Sequence, residues 1–117
     1  MDFNKCRPIG FALSLLTLSA CASYPEPKEH LENASAAIRG AQEAGATAAP
    51  EAALHLKLAE EQVARAKSLI ADGKNERADF MSQKAQADAE LAVSLAREAG
   101  AKQKADQASE KAAGAAK

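Results

Sequence analysis

The most constraining feature of this chain is a run of apolar residues between positions 50 and 71. Ala52, Leu56, Ala59, Val63, Ala66 and Ile70 advance by alternating steps of four and three. Only an α-helix brings such positions onto one face, so this segment is predicted as a helix of about 33 Å with a continuous apolar stripe. Leu54, Leu58 and Leu69 widen the stripe to the breadth of a helix packed in a bundle. Pro50 suits its first turn, and Asp72-Gly73 suits its end.

The same spacing predicts two neighbours. Leu31, Ala34, Ile38 and Ala41 share a face of a shorter helix over about 28–44, and Gly45 to Pro50 breaks it. A third helix from about Glu76 to at least Ala99 places Ala78, Met81, Ala85, Ala89, Ala92, Leu95 and Ala99 together, flanked by Phe80 and Leu91. The connection Asp72 to Asn75 is too short for anything but an antiparallel hairpin. The expected fold is all-α: an antiparallel helical hairpin with a shorter N-terminal helix, a small three-helix bundle, following a signal peptide and an extended tether. Because 47% of the 117 residues are hydrophobic while only 3% are aromatic, the helices must meet through alanine. Their core is therefore thin, and facing alanines let the backbones approach closely. Beyond Gly100 the chain carries no large apolar residue, so residues 100–117 are expected as a frayed helix or disordered tail. Glu-Ala-Gly-Ala occurs at both 43–46 and 98–101, a hint of an internal repeat.

The first twenty residues read as an address. Lys5 and Arg7 precede the uncharged run Ile9 to Ala20, whose length suits the apolar region of an export signal and falls short of the ~20 residues that span a bilayer. Leu18-Ser19-Ala20-Cys21 resembles a bacterial lipobox. That resemblance implies cleavage between Ala20 and Cys21, diacylglycerol on the Cys21 thiol, and acylation of the new amino group. Once Cys6 is removed with the signal, Cys21 is the one remaining cysteine, so no internal disulfide can form. A chain with several acyl groups is stably anchored. By resemblance to enterobacterial lipoproteins, Ala22 in place of Asp implies the outer membrane, lipid-anchored and facing the periplasm. Residues 21–27 then form a lipidated cysteine and proline-containing tether, leaving 28–99 as the alanine-rich helical domain.

From Tyr24 to Ala99 the chain resembles small bacterial lipoproteins that contain the domain of unknown function 4398. The residues that carry the likeness are Cys21 followed by Ser23-Tyr24-Pro25, then Leu31, Ala34, Ala37, Ile38 and Ala41 before the Gly45-Ala46 break, Pro50-Glu51, the spacing from Leu56 to Ala66, Gly73, and the Ala85 to Ala99 face. The resemblance implies a helical domain of the cell envelope. Tetratricopeptide-like hairpins share the turn pattern, but one hairpin and a half is too little for an array.

No catalytic constellation emerges. Metal is expected at neither histidine: His55 has only Glu51 as a neighbour at helical spacing, His30 stands beside the tether, and both read as solvated. Lys57 and Arg65 beside Glu60 and Glu61 read as surface ion pairs. With 15 basic against 16 acidic side chains there is no basic field for nucleic acid. No cofactor is expected beyond the covalent lipid. The expected function is a non-enzymatic helical binding or spacer module of the envelope, reaching the membrane through its lipid, with an envelope protein, peptidoglycan or a second copy as partner. The leucine stripe, Leu54, Leu58 and Leu69, has two readings, bundle interior or a face for a partner helix. The chain also resembles the abundant murein lipoprotein in ending on lysine, which implies an alternative: a tether linked to peptidoglycan through Lys117, although the Tyr-Arg that precedes the lysine there is missing.

Overall fold

The computed structural model describes residues 23–116, and every regular element among them is helical. Helix α1 spans Lys28–Glu43, a single 3-10 turn spans Ala46–Ala48, α2 spans Pro50–Ala71 and α3 spans Asn75–Ala115. The all-α, three-helix expectation holds.

Backbone chemistry at the two corners explains where the helices stop. Gly45 adopts φ +83°, and its N–H donates to the Gln42 carbonyl as α1 ends. At the end of α2, Gly73 sits at φ +72° and donates to the carbonyl of Ile70, while Lys74 N–H reaches back to Leu69 O at 2.8 Å. These paired bonds satisfy carbonyls that the end of a helix leaves without partners, and they require a left-handed residue that glycine supplies without strain. Pro50 opens α2 from its first turn, where a missing N–H costs nothing.

Helix α3 is the backbone of the bundle, packing against both α1 and α2, which touch each other less. The pairings give the directions. His30 meets Asp79 near the start of α1 and α3, and further along Ala41 shares a cluster with Ala92 and Ala96, so α1 runs parallel to α3. On α2 the order reverses: Leu56 joins Ala92 and Ala96, whereas Val63 joins Ala85, as the hairpin demands. Hence the start of α1, the end of α2 and the start of α3 lie together, and we call this the proximal end.

The interior is made of very little. Ala34, Ala41, Ala52, Ala59, Ala66, Ala78, Ala85, Ala89 and Ala92 are fully buried, and among the described residues the largest fully buried side chain is Ser82. Its hydroxyl is satisfied by the Ala78 carbonyl of its own helix at 2.9 Å. Leucine and valine enter only at the margins of this seam: Leu56, Val63 and Leu69 are buried, with Leu31, Ile38, Val93 and Leu95 half-covered beside them. Small facing residues allow helix axes to approach toward the short end of the usual 8–10 Å range, where dispersion contacts between backbones can stand in for the missing bulk.

The tail differs from the expectation. Instead of fraying at Gly100, α3 continues to Ala115, and from Arg97 onward it buries no residue. These nineteen helical residues form a spur of about 28 Å beyond the bundle. Alanine, lysine, glutamine and glutamate have high intrinsic helix propensity, whereas Gly100 and Gly114 each cost only ~1 kcal/mol, so a helix already nucleated by packing propagates through them.

The expected face of α3 is also shifted. Ser82 and Ala96 are buried where Met81 and Leu95 are half-exposed and Ala99 is exposed. Two helices cover α3 rather than one, and the seam follows the smallest side chains between them.

Candidate functional site

The bundle is held at its proximal end by a polar latch that joins the tether to α3. Asp79 is centred there, 7% exposed on the bundle side of α3. Its Oδ2 accepts the Tyr24 hydroxyl at 2.7 Å and the Gln83 amide at 3.0 Å, and its Oδ1 pairs with His30 Nδ1. The Asn75 amide, at the first turn of α3, donates to the Tyr24 backbone carbonyl at 2.8 Å. Both ends of Tyr24 are therefore fixed to the start of α3, and Pro27 is buried as the chain turns into α1. A carboxylate with three donors is chemically a structural anchor: its lone pairs are occupied by groups of its own fold.

Electrostatics follows the geometry. The Tyr24 phenol, then His30, hold Asp79 below the usual carboxylate range against the opposing effect of burial. Reciprocally, Tyr24 is raised, since its phenolate would lose the bond to Asp79 and face that negative charge.

A second polar cluster bridges α2 and α3 at mid-bundle. His55 Nδ1 lies 3.1 Å from Asp88 Oδ1, and Gln62 Nε2 donates to Asp88 Oδ2 at 2.7 Å. Partial burial pushes Asp88 up, but the bonds from Gln62 and His55 and the nearby Lys84 charge bring it down overall. The Gln62 Oε1 atom is buried with no partner.

Both histidines thus differ from the solvated faces expected of them: each pairs with an aspartate of α3. Each pair joins α3 to another helix, His30 from α1 and His55 from α2. No group of three or more His, Cys, Asp or Glu among the described residues is placed to share a metal ion. No helix among them is long and apolar enough to cross a membrane.

The leucine stripe divides. Leu69 is buried, Leu58 is half-buried and Leu54 is 56% exposed, so the three do not form one open face. Of the flanking residues on α3, Phe80 is 68% exposed and Leu91 is exposed as well. Phe80 stands over an open depression at the proximal end, lined also by Arg65, Leu69, Glu76, Arg77 and Met81. A second shallow depression, lined by Ser23, Tyr24 and the segment Gly73 to Arg77, shares Glu76 and Arg77 with it. Ala20, Cys21 and Lys117 lie outside the described residues. The expected lipidation and cleavage sites and the lysine attachment point therefore receive no structural description.

The family described as Domain of unknown function (DUF4398) matches residues 29–108. No curated protein and no solved structure matches. The matched segment takes in nearly all of α1, the whole of α2, and α3 as far as residue 108 of the spur, so it reaches past the Ala99 boundary drawn from sequence.

Proposed function

The chain belongs to the DUF4398 family, and from that premise we propose that it is a lipid-anchored, non-enzymatic spacer of the bacterial cell envelope. One observation carries the reading: the residues that follow Cys21 are latched to the proximal end, while α3 leaves that end as a single helix of 41 residues. At about 1.5 Å per residue it projects its far tip ~60 Å from the latch. A lipid on Cys21 fits this arrangement, because it places the membrane at one end of the rod and the bare spur at the other. The lipobox-like Leu18 to Cys21 and the apolar run before it supply the reason to expect that lipid. In this reading the protein faces the periplasm from the outer membrane, and the spur meets an envelope component at a distance set by helix length.

Intact mass spectrometry of the purified full chain tests the anchor. The expected product starts at Cys21 and carries diacylglycerol and an N-acyl group, and Cys21→Ala moves the protein out of the membrane fraction. An unmodified Cys21, or a chain still starting at Met1, refutes the proposal. The overhang also favours a second reading, in which Lys117 beyond the spur is joined to peptidoglycan; muramidase digestion would then release a Lys117 peptide carrying a muropeptide.

A further inference from the structure

The proximal end carries a feature that neither the latch nor the spacer explains. Phe80 is the most exposed large apolar side chain among the described residues, so covering it would remove a whole phenyl ring from water. It lies in the second turn of α3, and a helical side chain leans toward the N-terminus of its helix. Phe80 and Arg77 therefore lean toward the proximal end. Arg65 and Arg77 line the same depression as the phenyl ring, and among the described residues neither has an ion-pair partner within 4.0 Å. Glu76 is the one acidic residue lining the same depression.

Position in the chain identifies what can cover this face. Arg77 and Glu76 also line the depression that holds Ser23, so the Phe80 depression and the one beside the tether share a wall. Ser23 is two residues from Cys21, a reach of at most ~7 Å. We propose that Phe80, Arg65 and Arg77 form a lipid-contact surface, with the ring at the bilayer interface and the guanidiniums on anionic headgroup phosphates. This rests on the anchored reading above, since an acylated Cys21 would hold the face against the leaflet. An aromatic ring with arginines beside it matches that boundary chemically: the ring leaves water, and the planar guanidinium binds phosphate through paired donors. Basic side chains held near an anionic surface strengthen membrane binding, and that contribution is screened by salt. The contact fixes the orientation of the rod on a membrane to which the acyl chains already bind it.

The chain has no tryptophan, so Phe80→Trp supplies a single tryptophan, excited apart from Tyr24, on an exposed site. Full-length lipidated protein, its acylation confirmed by mass, is reconstituted into phosphatidylglycerol-containing vesicles, with Leu54→Trp as the control on the bundle away from the tether. The expected result for Phe80→Trp is blue-shifted emission, quenching by brominated lipid and protection from aqueous acrylamide. All three weaken in Arg65→Glu/Arg77→Glu or at high salt, while Leu54→Trp stays wet. Acrylamide quenching of Phe80→Trp equal to that of Leu54→Trp, in protein shown to be acylated and vesicle-bound, overturns the contact and leaves the anchor standing. Emission that is already blue-shifted without vesicles and rises with protein concentration assigns the face to a second copy and overturns it too. Unacylated Cys21 refutes the anchor, and the contact falls with it.

Discussion

Replacing Ala85 with leucine tests whether the alanine interior is a tight seam or an underfilled core. Ala85 is fully buried and shares a cluster with Ala34 of α1 and Val63 of α2, so it sits where all three helices meet. Leucine adds three carbon atoms at a point with no solvent outlet. If the helices are in close contact there, α1 or α2 must move outward, and neighbours such as Ala34 and Ala89 lose their backbone contacts. Overpacking of this kind costs about 1–3 kcal/mol, against a total stability of about 5–10 kcal/mol for a domain of this size. A loss of 2 kcal/mol corresponds to a fall in Tm of roughly 8–16 °C. Ala101→Leu on the bare spur is the matched control: alanine and leucine differ little in helix propensity, so its effect stays within about 0.5 kcal/mol. Urea unfolding followed by far-UV circular dichroism, with calorimetry to separate the cooperative bundle from the spur, measures both. An Ala85→Leu protein with a higher urea midpoint than the wild type would refute the reasoning. It would mean that the seam holds room for a leucine and gains its burial energy.

The leucines of α2 give a second contrast: Leu56→Ala at a site 4% exposed costs about 3 kcal/mol, whereas Leu54→Ala at a site 56% exposed costs less than about 1 kcal/mol, and equal urea midpoints would contradict the burial assigned here. The latch sets a pH dependence. Asp79 and Asp88 titrate below the ordinary carboxylate range in the fold, so their stabilisation is complete above that range and is lost as pH falls through their lowered values, below about pH 4. Thermal melts from pH 7 to 2 should show Asp79→Asn less stable at neutral pH and converging on the wild type in acid, and parallel curves would count against the latch. Tyr24 titrates above its ordinary value, so its contribution is present below about pH 10 and disappears as pH rises beyond it. In Tyr24→Phe that alkaline decline should be smaller.

The sequence was legible where a residue type has one physical use. Pro50 and the two left-handed glycines placed the ends of α1 and α2, and the stripe from Ala52 to Ala66 on α2 is buried as its spacing demands. On α3 alanine occurs on several faces, so the apolar period cannot say which alanines are inside. Burial of Ser82 in preference to Met81 depends on how the other helices lie against α3, which is tertiary information. The spur escaped sequence reasoning for the opposite reason: lacking bulk, it looked too weak to be ordered, yet propensity and attachment to a packed helix suffice. The polar latch was not legible at all. His30 meets an aspartate 49 positions away and His55 one 33 positions away, beyond any search for partners at i+4. The leucines were read as a set, but Leu69 is buried and Leu54 is not, a difference that spacing along one helix does not carry.

The latch has a mechanical meaning. Pulling on the residues before Tyr24 while resisting at the far tip of α3 would, along the covalent chain, draw tension through α1, both corners and α2 before reaching α3. Hydrogen bonds from Tyr24 to Asp79 and from Asn75 to the Tyr24 carbonyl make a shortcut from tether to rod. While they hold, strain passes along one helix and the alanine seam is left unsheared. If they give way, force transfers to α1, which would peel from α3 starting at its proximal turn. A latch of a few hydrogen bonds thus acts as a fuse that determines which part of the molecule yields first.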